Sequence, residues 1–340
     1  MLRDMLVVLE LDVADLAATR FAISPLSETT KAMLLLARPS PATVNLPWVR
    51  WARAELGRRP LRLPRAWPLI VNGLSVYPEF LNPAPAVREP ELGDELARVR
   101  STPAEAVRAS LVRVFGDRPW PDSATELLQR PTESLAEIAA ELAECYERLV
   151  MPHWERIRPV LDADIVYRAG LLADGGARSL FSDLHPDLRW SQGTLTINET
   201  DEDPSVSRIM LGPDGVVLMP SVFNWPLVSY TKATSSQTTL LYPARGTATV
   251  WEDGVTAVSG AVEELLGPAR ARLLGALRSP ATTSALALRF GVTPSAISQH
   301  MAVLHRSGLV ERQRSGRRVL YQASELGLAL LDRALLRSVS

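Results

Sequence analysis

The chain has 340 residues, 46% of them apolar, a formal net charge of −1 and a single cysteine. That length and apolar content suffice for two or three domains, a lone cysteine excludes a disulfide framework, and no stretch nears the roughly 20 apolar residues of a bilayer-spanning helix. Acidic Asp4, Glu10 and Asp12 near the start have the wrong sign for a secretory leader, so a cytoplasmic chain without a membrane partner is expected.

In chain order, residues 5–11 form a short apolar run that reads as a strand, and residues 14–21 fit helix or strand equally. Residues 27–37 read as a helix capped near Ser24-Pro25, and residues 48–56 as another opened by Pro47. Prolines interrupt residues 60–90, which predicts short helices and irregular chain. Helices follow over residues 91–100, 103–115 and 132–150, and a second long one over 152–173, kinked near Pro159. After Gly175-Gly176 the pattern changes. Residues 188–190, 194–198, 207–211, 216–219, 227–231 and 238–242 are short, β-branched or alternating, with turn residues such as Pro213-Asp214-Gly215 between them, and read as a small antiparallel sheet. The expected fold class is α+β: a mostly helical body over residues 1–254, with helices to about 185 and the sheet over 188–251. A joint at residues 254–260 leads to a separate module over 261–340.

That module carries the densest pattern in the chain. Ser284 to Arg289 reads as a helix closed by Phe290-Gly291-Val292, with a Gly where a helix end favours a left-handed residue. Thr293 then caps a second helix, and Pro294 sits at its first position, where no N–H is needed. Ile297, Met301 and Leu304 recur at i, i+4 and i+7 as one apolar stripe, while Ser295, Gln299, Ala302 and Arg306 lie opposite, flanked by Ser298 and His300. Small and hydrogen-bonding residues are what a helix entering a major groove presents to base edges. Ser307-Gly308 ends that helix, and two β-leaning runs surround Ser315-Gly316 with Arg312, Arg314, Arg317 and Arg318 on a hairpin suited to phosphate contact. Residues 261–340 hold eleven arginines against five acidic residues, a net of +6 that leaves −7 for the rest of the chain. A basic module on an acidic body concentrates attraction for a polyanion in one place.

The run Leu286-Ala287, Phe290-Gly291-Val292, Ile297-Ser298-Gln299-His300-Met301, Leu304, Ser307-Gly308-Leu309-Val310 resembles the winged-helix domain of ArsR-type bacterial repressors, over roughly residues 262–336. The resemblance implies a homodimer whose helix from Pro294 to Arg306 enters the major groove of an operator, with the wing along the backbone. On it Thr293, Ser295 and Gln299 reach bases, and Ser298, His300, Arg306 and the wing arginines hold phosphates. The Leu- and Ala-rich segment 325–336 suits subunit pairing and equally suits capping its own core. Metal sensors resembling this family carry a Cys-x-Cys run or terminal-helix His ligands. Here Cys145 lies far upstream as a small apolar residue of a helical run, the four histidines are not paired at i, i+4, and Glu325 and Asp332 have no His beside them. No metal and no cofactor are expected.

The body is similar, through Arg20-Phe21-Ala22-Ile23-Ser24-Pro25-Leu26, Pro220-Ser221-Val222-Phe223-Asn224-Trp225-Pro226 and Leu240-Leu241-Tyr242-Pro243-Ala244-Arg245-Gly246, to an uncharacterised amino-terminal domain that precedes such readers in some long bacterial regulators. Trp190, Phe223, Trp225, Tyr230 and Tyr242 are candidates for a pocket holding a flat or apolar effector, or are core residues of the sheet. Trp48, Trp51 and Trp67 offer a competing pocket, and His185-Pro186-Asp187 reads as a loop rather than a catalytic dyad. No catalytic motif is present, so the expectation is a non-enzymatic DNA-binding repressor whose body senses a small non-metal ligand. A DNA-tethered enzyme and a protein-interaction module are the alternatives.

Overall fold

The computed structural model describes residues 4–39, 44–74, 76–200, 207–210, 215–231, 237–251, 260–277, 281–290, 293–315 and 318–336. The chain divides into two compact units, Met1–Thr247 and Ala248–Ser340. The joint expected at 254–260 lies outside the described residues except for Gly260, and so do Pro213-Asp214, Gly291-Val292 and Gly316-Arg317.

The first unit opens with β1 (Asp4–Glu10), α1 (Val13–Ala18) and β2 (Arg20–Phe21). The ambiguous segment 14–21 is thus half helix and half strand. Asp12 decides the helical half, since it and Asp15 form a reciprocal capping box at 2.8 and 2.9 Å. Helix α2 (Pro25–Ala37) starts where the sequence indicates: Ser24 Oγ accepts from Ser27 N at 2.9 Å, and Pro25 takes the first helical position. Helices α3 (Leu46–Arg58), α4 (Ala66–Ile70), α5 (Leu92–Arg100), α6 (Ala104–Phe115), α7 (Asp122–Gln129) and α8 (Pro131–Cys145) follow. The sequence pattern assigns nothing to residues 122–129. Helix α7 forms there because burial of Ser123, Ala124 and Leu127 gives a short segment one apolar side.

One expectation requires correction, that of the sheet. The helix read over 152–173 and helical structure to about 185 are both observed, since α9 (Trp154–Leu184) is two helices joined at a kink at Gly176. Gly176 adopts φ 65°, which glycine takes without steric cost, so the helix bends and resumes. Leu180, Phe181 and Leu184 of the second helical segment then bury in the core of the sheets. The strands form two four-stranded mixed sheets rather than one small antiparallel sheet. These are β3 (Leu188–Ser191), β4 (Thr194–Thr200), β1 and β5 (Ser207–Met210) in the order β3-β4-β1-β5, and β2, β6 (Val216–Ser221), β8 (Thr238–Pro243) and β7 (Ser229–Thr231) in the order β2-β6-β8-β7. The pairs β1–β4, β3–β4 and β7–β8 are antiparallel, whereas β1–β5, β2–β6 and β6–β8 are parallel. Each sheet recruits a strand from the amino-terminal end, a pairing for which local pattern carries no signal. Strand β6 is buried at every position, as parallel strands covered on both faces are. Val216 and Leu218 enter a core with Val7, Leu9, Phe181 and Tyr242, while Val217 and Met219 enter another with Ala22 and Leu241.

Helix α10 (Thr247–Val250) spans the unit boundary. The second unit then comprises α11 (Gly260–Leu266), α12 (Pro268–Ala276), α13 (Thr283–Phe290), α14 (Pro294–Arg306), β9 (Val310–Ser315), β10 (Arg318–Ala323) and α15 (Glu325–Leu336). Its core gathers Leu274 and Leu277, Leu286, Ile297, Met301, Leu304, Leu309, Val310 and Leu331. The α+β class is therefore observed in both units.

Candidate nucleic-acid interface

Three local devices define α14. Thr293 Oγ1 accepts from Ala296 N at 3.3 Å, Pro294 begins the helix, and Gly308, at φ 71°, takes the left-handed turn that ends it. Ile297, Met301 and Leu304 are buried against α12, α13 and β9. Thr293, Ser295, Ser298, Gln299, Ala302 and Arg306 are exposed and His300 is half-buried. His305, which the sequence reading did not single out, is exposed beside Arg306 in the last turn.

Strands β9 and β10 form an antiparallel ribbon whose register sets Arg312 opposite Tyr321, Arg314 opposite Val319 and Arg318 opposite Ser315. Arg312 is exposed on the ribbon. The ribbon's base is fastened: Ala281 N donates to Tyr321 O at 2.9 Å and Tyr321 N returns a bond to Ala281 O at 2.8 Å. Arg317 lies outside the described residues. A helix with a short, hydrogen-bonding outer face beside an arginine-bearing ribbon has the chemistry for reading base edges and for gripping phosphate.

In the body, the five aromatic candidates fall into different surroundings. Tyr242 is fully buried, and half-buried Trp190 and Tyr230 pack on the same core, with Trp190 stacked on Phe181 at 4.9 Å. Phe223 instead packs on Trp48 at 4.5 Å, and Trp225 is half-buried in the loop after β6. Trp48 Nε1 donates to Leu149 O at 2.9 Å, Trp51 meets His153 edge-on at 4.3 Å, and Trp67 is half-buried in α4. His185 is engaged by two backbone groups, since Asp187 N donates to its Nδ1 at 3.2 Å and its Nε2 lies 2.7 Å from Pro226 O. Burial pushes the Cys145 thiol up to about 12, so it is no thiolate.

Sequence reasoning missed a set of buried polar groups around α2. Glu28 is 1% exposed and Lys31 8% exposed. Glu28 Oε2 accepts from Val222 N at 3.0 Å and Phe223 N at 3.4 Å, and Lys31 Nζ donates to Ser229 Oγ at 3.0 Å. Glu95, also buried, accepts from Ser24 Oγ at 2.5 Å and Leu26 N at 2.9 Å. Nothing in their spacing signals burial, because a Glu and a Lys one turn apart on a helix usually mark a solvated face. Burial pushes both Glu28 and Glu95 up to about 7 and Lys31 down to about 8.

These shifts fix a pH dependence. A carboxyl held near 7 binds its proton more tightly folded than unfolded. Its contribution to stability is therefore complete below the ordinary value of 4.5 and is lost as pH rises to about 7. Lys31 acts at higher pH: between about 8 and 10.5 it is neutral only when folded, so stability rises across that window. The first unit is expected to be least stable between these two windows. In Glu28→Gln the fall from pH 4.5 to 7 should shrink by on the order of 2 kcal/mol, leaving the part due to Glu95. Tryptophan fluorescence in urea titrations at several pH values reads this, since all the tryptophans but Trp251 lie in residues 1–247. An unchanged profile would refute the assignment.

Residues 265–313 match a helix-turn-helix domain family, and residues 94–248 match a family of unknown function (DUF5937). Comparison with curated proteins and with solved structures gives no match. With its α13–α14 pair, α14 capped by Thr293, and its arginine-bearing ribbon, the second unit is a DNA-binding helix-turn-helix domain of winged build, and it follows a stretch, residues 94–248, that matches the family of unknown function.

Proposed function

We propose that this chain is a cytoplasmic, homodimeric, ArsR-type transcriptional repressor that binds a specific operator and whose body acts by binding a small non-metal effector rather than by catalysis. The observation that carries the reading is the exposed face of α14, where Ser295, Ser298, Gln299 and Arg306 stand clear of a helix anchored by Ile297, Met301 and Leu304. The net charge of +6 on residues 261–340 supports attraction to phosphate. Exposed Leu265 on α11 and Leu326 on α15, two helices that pack together, support subunit pairing through that surface. A paired reader binds half-sites about 34 Å apart, one turn of duplex.

Gln299 and Arg312 have different tasks on this reading, and their replacement separates them. Gln299→Ala is expected to weaken the operator complex by about 1–3 kcal/mol and to relax discrimination at one base pair. Arg312→Ala is expected to weaken all duplexes alike and to reduce the slope of log K against log salt by about 1. Mobility-shift titrations with the chain's own upstream region, at several salt concentrations, read both. Unaltered affinity in both variants would remove this face from the interface.

A further inference from the structure

Residues 20–26, 220–226 and 240–246 come together in the second sheet. Strands β2 and β8 both run parallel to β6; Ser221 and Pro243 end level with each other, and β2 ends at Phe21 beside Leu218, three residues short of that edge, toward which residues 22–24 lead. Ligands of open α/β sheets bind outside the carboxyl ends of parallel strands, where the departing loops bring main-chain groups and side chains together. Helix α2 starts just past that edge and sends Glu28 to the backbone of Val222 and Phe223, and Lys31 to Ser229. Ser229 Oγ passes the link on to Asn224 Oδ1 at 2.9 Å, and the Tyr77 ring lies 5.7 Å from Lys31 Nζ.

Glu28 and Lys31 have opposite charges, are three residues apart on one helix and are both buried, yet among the described residues no ion pair joins them. The Ser221 hydroxyl also steadies the Glu28 carboxylate, and among the described residues Oε1 itself has no partner at hydrogen-bond distance. Lys31 has three N–H donors and among the described residues makes one hydrogen bond, to Ser229. Interiors rarely tolerate charged groups left so incompletely paired. An acceptor and donors that the described residues leave without partners are the arrangement that a molecule bearing both functions completes.

We propose that the carboxyl edge of β2, β6 and β8 is the effector site of the body. Lys31 donates there to a carboxylate of a small molecule, and Glu28 Oε1 pairs with the N–H or O–H on its adjacent carbon, so the ligand class is α-amino or α-hydroxy acids. The inference rests on the reading of the body as a ligand sensor, and its test reads Lys31 without DNA, so loss of operator binding leaves the readout intact.

Lys31 and Lys232 are the only lysines, so isotopic labelling of lysine side chains in the intact protein gives two Cε resonances, assigned through Lys232→Arg. The probes are glycine, alanine, leucine, phenylalanine, glycolate, lactate and mandelate. At least one is expected to move the Lys31 resonance saturably while that of Lys232 stays in place. The same probe should raise Tm by about 5 °C at roughly 100 times its Kd, and Lys31→Met, with unchanged circular dichroism, should lose that rise. If Lys31→Met fails to fold, the resonances of the unmodified chain still decide. A Lys31 signal that no probe moves, one that moves only in step with Lys232, or a full Tm rise in a folded Lys31→Met protein would overturn the site.

Discussion

Replacing Gly327 by Ala is expected to destabilise the DNA-binding unit by about 2–3 kcal/mol or more and to lower operator affinity with it. Gly327 lies in the first turn of α15, where an added Cβ would sit 2.2 Å from the carbonyl oxygen of Leu309 and 3.1 Å from Leu274 Cδ1. That carbonyl cannot retreat cheaply, because it accepts from Ser324 N at 3.0 Å, and Leu309 follows directly on the Gly308 turn that ends α14. The residue helps hold the end of the recognition helix against the base of the wing. Alanine's better helix propensity, about 0.5–1 kcal/mol, opposes the clash without matching it. Gly170 in α9 supplies the control: nothing lies within 4 Å of its added Cβ, so Gly170→Ala should stabilise the body by up to about 1 kcal/mol. Thermal unfolding followed by circular dichroism, together with mobility shifts, measures both. Opposite signs are expected, and a neutral Gly327→Ala would mean that α15 does not press on Leu309.

Arg168→Met is expected to have the larger effect, about 3–5 kcal/mol on the first unit. Arg168 is 2% exposed. Its Nε lies 3.4 Å from Asp164 Oδ2, its Nη1 3.0 Å from Asp183 Oδ2, and its guanidinium 5.1 Å from the Tyr242 ring centre. Asp164 is 1% exposed and also accepts from Arg245 N at 3.0 Å. Removing the guanidinium thus leaves a buried carboxylate with only the Arg245 N–H and the Tyr242 hydroxyl beside it, and the link between α9 and the chain leaving β8 is weakened. The double replacement Asp164→Asn with Arg168→Met should recover most of the loss, because the destabilisation comes from the uncompensated charge rather than from a missing attraction. Urea midpoints from tryptophan fluorescence report it; a single variant within about 1 kcal/mol of the parent would show that the pair is not holding these elements.

Elements set by local chemistry were readable in the residues. The cap at Ser24, the cap at Thr293 with Pro294, the apolar stripe of α14 and the break at Ser307-Gly308 each act over a few residues, and capping and periodicity are local effects. The same holds for the outer face of α14, since positions opposite a buried helical stripe are exposed once that stripe is packed. Features that depended on distant partners were not readable. The pairing of β1 with β4, the division into two mixed sheets and the burial of α7 all follow from contacts across long stretches of chain.

The polar centre of the body shows the limit most clearly. Glu28 and Lys31 look in the sequence like an ordinary solvated pair on a helix surface, and only the closing of the second sheet over α2 removes them from water and shifts their protonation. The sequence by itself determined where helices start and stop and which face of α14 is polar, because those depend on neighbours within a turn or two. The tertiary structure decided which strands pair, which charges are buried and which segments meet at the carboxyl edge of β2, β6 and β8. Burial and strand pairing are set by residues far apart along the chain, and no local pattern encodes them.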